Sequence, residues 1–213
     1  MHFLIFLNSA LLLVAFAAAV PQKTTTCTEE PAATTSSTAI SSPSIPYSVV
    51  SVRSGSPIHL LPIQARNQNF YLGGLPGAYC PQPPIPSCPL GSATIFVGLG
   101  GLNALSPGGQ AIYVRSDGSF GFTEAHSTRY PAGALIGGDL TYSKTNGAQL
   151  GSLGTRAFGA TGFMACPTED QGYQVFAAVG NATAPESVLA ACLGFDALTI
   201  DETDPERGAW QYI

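Results

Sequence analysis

Charge is scarce in this chain of 213 residues: Asp, Glu, Lys and Arg together make up 10% of it. From Tyr47 to Pro185 five acids are balanced by six bases, whereas from Glu186 onward six acids are met only by Arg207. The body is nearly neutral, the C-terminal end is acidic, and no basic patch exists to serve a nucleic acid or an anionic membrane. Neither is expected as a partner. Histidine is as sparse, with only His59 and His126 after the first few residues. There is no Gly-x-Ser-x-Gly elbow, no His-Glu-x-x-His, no paired His/Cys ligand spacing and no phosphate loop ending in Gly-Lys-Ser/Thr. The sequence therefore predicts no catalytic residues, no cofactor and no metal. A hydrophobic C-terminal tail is missing too: the chain ends in the acidic, polar stretch Asp201 to Ile213, which gives a lipid anchor no signal.

The long apolar run that is present sits at the start. Phe3 to Ala15 is almost uninterrupted and leads into Ala17-Ala18-Ala19. It is short for a membrane span and is followed by Thr-rich sequence, so residues 1–19 read as a secretory signal peptide. The protein is expected to be secreted and extracellular. Residues 20–46 follow as a Ser/Thr/Pro-rich linker, with Thr24-Thr25-Thr26 and Thr34-Thr35-Ser36-Ser37-Thr38 between prolines. Its composition fits an O-glycosylated stalk or an unmodified disordered tail and does not separate them. Asn181-Ala182-Thr183 is an N-glycosylation sequon in a Gly/Pro-flanked stretch, making Asn181 the predicted acceptor.

Five cysteines suit an oxidising compartment. Cys27 lies in the linker; Cys80, Cys88, Cys166 and Cys192 lie beyond it and allow three connectivities. Cys80–Cys88 with Cys166–Cys192 is the favoured pairing. The first bridge would close the stiff loop Pro81-Gln82-Pro83-Pro84-Ile85-Pro86, and the second would pin the acidic C-terminal segment to the core.

From Tyr47 onward, short apolar runs recur between turn signals, and helical periodicity is absent until about Pro185, where one short helix is expected. The clearest unit joins Gln110–Arg115 to Phe120–Thr123 across Asp117-Gly118, which reads as a two-residue hairpin turn with Val114 opposite Phe122. Other candidate strands are Ser48–Arg53, Ile58–Gln64, Phe70–Leu72, Thr94–Val97, Leu140–Ser143, Gly162–Ala165, Tyr173–Ala178 and Ala197–Ile200. The Gly-rich stretches Gly98 to Gly101 and Gly147 to Gly154 read as turns. The fold class is all-β, a single compact domain: a barrel, a trefoil-like fold or a sandwich. No strict internal repeat chooses among them. The domain is placed at residues 47–201, with an acidic tail at 202–213.

Within the body the acids are Asp117, Glu124, Asp139, Glu169 and Asp170, and glycoside hydrolysis would need two of them facing each other about 5–9.5 Å apart. Spacing pairs none. Asp117 has a use in the hairpin turn, and Glu169-Asp170 read as a solvated turn. His59, in Pro57-Ile58-His59-Leu60-Leu61, reads as a hydrogen-bonded strand residue. Tyr113, Tyr130, Tyr142, Tyr173 and Trp210 are candidates for a sugar-binding surface, against the plainer reading of strand aromatics as core.

The stretch Val52-Arg53-Ser54-Gly55-Ser56-Pro57-Ile58-His59-Leu60-Leu61-Pro62-Ile63-Gln64-Ala65 resembles the opening of the PhiA-type fungal secreted cell wall proteins, some of which are described as IgE-binding. Phe70-Tyr71-Leu72-Gly73-Gly74, Gln110 to Gly118, Met164-Ala165-Cys166-Pro167 and Ala191-Cys192-Leu193-Gly194 are similar in the same order. The resemblance spans about Tyr47 to Asp201. It departs in the Thr/Ser-rich insertion, the Cys80–Cys88 loop and Ala132 to Thr161. It implies a non-catalytic cell wall glycoprotein linked to conidium-forming cells, with wall polysaccharide as the candidate partner. The rival readings are a glycan-binding lectin or host-facing effector, and a small secreted glycosidase.

Overall fold

The structure, a computed structural model, describes residues 39–169, 172–180 and 189–213. The expected signal peptide, Cys27, Asn181 and the start of the helix expected from Pro185 lie outside these residues. The strands in chain order are β1 (Ala39–Ile40), β2 (Tyr47–Val52), β3 (Ile63–Arg66), β4 (Asn69–Leu72), β5 (Ala78–Tyr79), β6 (Phe96–Val97), β7 (Gly101–Leu102), β8 (Gln110–Val114) and β9 (Phe120–Phe122). They continue with β10 (Leu135–Ile136), β11 (Leu140–Thr145), β12 (Leu150–Thr155), β13 (Phe163–Thr168), β14 (Gly172–Ala177), β15 (Leu193–Asp201) and β16 (Gln211–Tyr212). Three short 3-10 turns intervene.

The protein is all-β. From β15 the hydrogen-bonded neighbours run β13, β14, β4, β9, β8, β7, β6 and β2, and β2 pairs again with β15. The circuit closes without being a regular barrel: β4–β9 and β2–β6 each rest on a single residue pair. On the other side β15 carries β12, then β11, and β1 adds itself to β11. Residues 39 and 40, expected to be linker, thus join the sheet.

Alternation explains the long strands. In β2 the burial pattern alternates along Tyr47–Val52, with Tyr47 and Val49 in the core. Inside the circuit Tyr142, Tyr47, Phe96, Phe70, Phe122 and Tyr212 form a continuous aromatic chain, with neighbouring centroids 5.5–6.5 Å apart. Each fully buried ring of this kind contributes roughly 1.5–3 kcal/mol. An apolar void of about 20 Å³ remains between Phe70, Phe96, Phe120 and Phe163; with no polar wall it offers a water no partner.

Several expectations change. The Gly147 to Gly154 stretch contains a strand, β12, lying between β11 and β15. Its glycines serve close approach: a Cβ on Gly151 would meet Thr199 Oγ1 at 2.6 Å, and one on Gly154 would meet Thr141 Oγ1 at 2.8 Å. Gly101, also read as a turn, belongs to β7. The strand expected at Ile58–Gln64 begins only at Ile63, because Ser51 N–H donates to Leu61 O (2.9 Å), Leu60 N–H donates to Ser51 O (2.8 Å) and the Ser51 hydroxyl shares its proton between the carbonyls of Ile58 and Leu61, folding this segment into a loop with Leu60 at φ +60°. The hairpin has a three-residue turn, not two. Gly118 N–H donates to Arg115 O (2.9 Å), Arg115 N–H donates to Ser119 O (3.0 Å), and Val114 faces Phe120 instead of Phe122. Asp117 caps the turn by accepting from Ser119 N–H at 2.8 Å, and Gly118, at φ +86°, takes the left-handed position such a turn requires.

The acidic tail expected at 202–213 is part of the domain. Tyr212 is 1% exposed. Gln110 accepts from Tyr212 N–H (2.7 Å) and donates to Tyr212 O (2.9 Å), while the phenol takes Ile95 N–H (3.0 Å) and donates to Ala93 O (3.1 Å). Glu202 is paired with Arg207 at 2.9 Å. Cys80 is bonded to Cys88 with Cα atoms 6.0 Å apart, and Cys166 to Cys192 at 4.1 Å.

Candidate functional site

Three distant segments meet at a polar cleft of about 540 Å³, lined by Asn67, Gln68, Glu124, Ala125, His126, Gln211, Tyr212 and Ile213. The first segment is the turn between β3 and β4. Arg66 pairs with Asn69, so Asn67-Gln68 is a two-residue loop, and both residues have positive φ, +51° and +54°. That is the geometry of a type I′ hairpin, whose second position favours glycine. The second segment is the turn closed by Ser127 N–H on Glu124 O (3.3 Å), with His126 at φ +61°. The third is β16.

Hydrogen bonds lock the segments together. Asn67 N–H donates to Ile213 O at 2.7 Å, and Ile213 N–H donates to Gly77 O at 2.8 Å. Gln68 Nε2 donates to Glu124 Oε1 at 2.8 Å, joining the first two turns. Beneath them Arg115 donates to Asn69 Oδ1 (2.8 Å), Ser119 Oγ (3.1 Å), Tyr113 Oη (3.1 Å) and Gln68 O (3.4 Å). Arg66 lies over the Tyr71 ring at 4.4 Å and donates to Gly73 O at 2.9 Å; burial lowers the pKa of its guanidinium, with Tyr71 opposing the shift. The side chains of the cleft therefore present amides, one carboxylate and one imidazole on a braced backbone. No Lys or Arg lines it.

The residues singled out from sequence scatter around this site. Glu124 and His126 are in it. His59 is on the loop before β3, where Nδ1 accepts from Arg53 N–H at 3.3 Å, so it is bonded, but in a loop and not in a strand. Asp139 has φ +45° and its carbonyl accepts from Arg156 N–H. Glu169 is exposed and Asp170 lies outside the described residues. Of the aromatics, Tyr142 packs against Tyr47, and Tyr113 is buried edge-on to Tyr130. They do not form an exposed row. An exposed aromatic that the sequence reading missed is Tyr79, at 49%. It sits opposite Gln211 in the β5–β16 pair. Asn67, Gln68 and Gln211 were missed as well; the available signal was a turn pair lacking glycine between two strands.

Among the described residues no group of three or more His, Cys, Asp or Glu is gathered to hold a metal. No described helix is long and apolar enough to cross a membrane.

A family model described as PhiA-like secreted protein matches residues 47–213, and so takes in the C-terminal segment that folds back into the domain. A protein of Arthroderma benhamiae described as an uncharacterized secreted protein is 41% identical over 153 residues, which is 71% of this chain and 77% of that protein. No solved structure matches. Neither description names a catalysed reaction. This chain belongs to the PhiA-like secreted protein family, and it is a secreted protein.

Proposed function

We propose that the protein is a non-catalytic cell wall glycoprotein whose polar cleft contacts wall polysaccharide, serving wall structure or the development of conidium-forming cells. The observation that carries this reading is the chemistry of the cleft. Planar amides and a carboxylate on a braced backbone suit the hydroxyls of a neutral polymer, and the surrounding surface has little charge to recruit an ionic one. Glu124 is the sole carboxylate side chain of the lining, and it is already bonded to Gln68, whereas glycoside hydrolysis uses two acids in concert. Glycosylation at Asn181 and disulfides at Cys80–Cys88 and Cys166–Cys192 belong to the same reading, as surface protection and stabilisation outside the cell.

Fractionation of the producing fungus tests it. Isolated walls should release the protein into hot detergent with reductant, and an N-glycanase should lower its mass. Recovery of the protein from medium alone, with none in the wall, would overturn wall residence.

A further inference from the structure

Six non-glycine residues have positive φ among the described residues, and three of them, Asn67, Gln68 and His126, line the one cleft. Asparagine tolerates this conformation; glutamine and histidine are held there at a cost of about 1–3 kcal/mol each. Such strain marks positions where a side chain is needed more than an easy turn. Tyr79 adds a second, independent feature. Directly opposed residues of an antiparallel pair project from the same face. Because Tyr212 points into the core, Gln211, which lines the cleft, points outward with the exposed phenol of Tyr79 beside it on β5, one strand away from the lining itself.

We propose that this cleft binds a β-linked, gluco-configured polysaccharide, with Tyr79 stacked against a ring face and Gln68, Glu124 and Gln211 bonding to its hydroxyls. The proposal rests on the polysaccharide reading above and names the ligand class. A β-linked glucose or N-acetylglucosamine ring carries its substituents equatorially, so both ring faces present C–H groups that pack on an aromatic ring. In α-mannose the axial 2-hydroxyl and the axial glycosidic oxygen interrupt the two faces. The Gln68 to Glu124 bond leaves the Gln68 amide oxygen and the second Glu124 oxygen to meet sugar hydroxyls at the ring edge. At about 540 Å³ the cleft lies within the ~300–1,000 Å³ usual for ligand pockets.

The test is titration of the purified, oxidised protein with a soluble β-1,3-glucan, with chitin oligosaccharides and with α-mannan. Saturable binding to the glucan or to the chitin oligomers, with the two arms identifying the source, is the expected result. Tyr79→Ala should weaken it about tenfold, and Tyr79→Phe should retain it. Gln68→Gly is the sharper variant: it relieves a left-handed residue, so its melting temperature should equal or exceed that of the parent while binding falls. Equal binding to α-mannan would overturn the stacked ring face and leave polysaccharide contact standing. Unchanged affinity in both Tyr79→Ala and Gln68→Gly would overturn the site. Absence of binding to every polymer by a protein still extracted from walls would overturn this inference and leave wall residence intact.

Discussion

Replacing Tyr212 by phenylalanine removes one oxygen from the centre of the structure and leaves the ring in place. That oxygen accepts from Ile95 N–H at 3.0 Å and donates to Ala93 O at 3.1 Å, in a residue 1% exposed. Each buried backbone group left without a partner costs about 1–3 kcal/mol, so the two stranded by Tyr212→Phe should together destabilise the domain by about 2–6 kcal/mol. At roughly 2–4 °C per kcal/mol for a domain of this size, the melting temperature should fall by about 4–24 °C. Alkaline titration supplies an independent arm. Burial pushes the Tyr212 phenol up to about 12 against the opposing Ile95 amide, and burial raises Tyr47 further, with Tyr142 adding to the shift. The unfolded chain loses these protons near pH 10, before the folded one, so their contribution is intact below pH 10 and is lost as pH rises toward 12. The Tyr212 share is about 1.4 kcal/mol per pH unit, or roughly 3 kcal/mol in all. Urea unfolding of parent and variant from pH 7 to 11.5, with disulfides kept oxidised, measures both effects. A loss under about 0.5 kcal/mol at pH 7, or an alkaline slope identical to the parent's, would refute the reasoning.

Gly100→Ala should cost roughly 2 kcal/mol or more, since its Cβ would lie 2.6 Å from Gly137 Cα at φ +117°; a chemical denaturation midpoint equal to the parent's would contradict that. Gly118→Val should cost about 1–3 kcal/mol by straining the hairpin turn at φ +86°, read by the same assay, whereas Gly118→Asn should be milder. Chain-entropy scaling gives about 3.5 kcal/mol for the bridge spanning 26 residues and about 2.5 for the one spanning 8, so Cys166→Ala with Cys192→Ala should lower stability more than Cys80→Ala with Cys88→Ala. Lys144→Ala should cost about 1–3 kcal/mol by stranding Asp201, whose carboxylate it meets at 2.6 Å; a double variant that also carries Asp201→Ala should recover part of the loss.

Tyr47–Val52 was legible because period-two burial coincides there with β-branched and aromatic residues, and Gln110–Val114 because β-branched and aromatic residues lead into an Asp-Gly turn, although Ile112, Tyr113 and Val114 are all buried. β12 escaped because its buried face is made by Gly151, Leu153 and Thr155, and two glycines in one strand look like loop until the crowding by Thr199 and Thr141 is seen. The C-terminal segment escaped because composition weighs its acids and misses a single tyrosine: the partners of Tyr212, namely Gln110, Ala93 and Ile95, are more than 100 positions away. The hairpin was visible and its register was not. Asp-Gly sits in both two- and three-residue turns, and only the Arg115–Ser119 bond distinguishes them. The cleft had no local motif at all, being assembled from residues near 67, 125 and 212 by long-range pairing.

Glycine was readily available to this chain, which has 24 of them and uses glycine at positive φ at the turn positions 55, 108, 118 and 147. At the two turns that rim the cleft it uses glutamine and histidine instead. Core packing does not explain that choice, because Gln68 and His126 are both exposed. Local stability does not explain it either: glycine would relieve about 1–3 kcal/mol of strain at Gln68, and the exposed, solvent-screened bond to the Glu124 carboxylate at most offsets a similar amount, leaving no net gain. What the side chains add is a fixed set of polar groups at the mouth of a cleft, held from below by Arg115 and from the side by β16. The buried anchoring of Tyr212 therefore has two consequences, because the strand that closes the core through Gln110 also carries Gln211 to the cleft and sets it beside Tyr79.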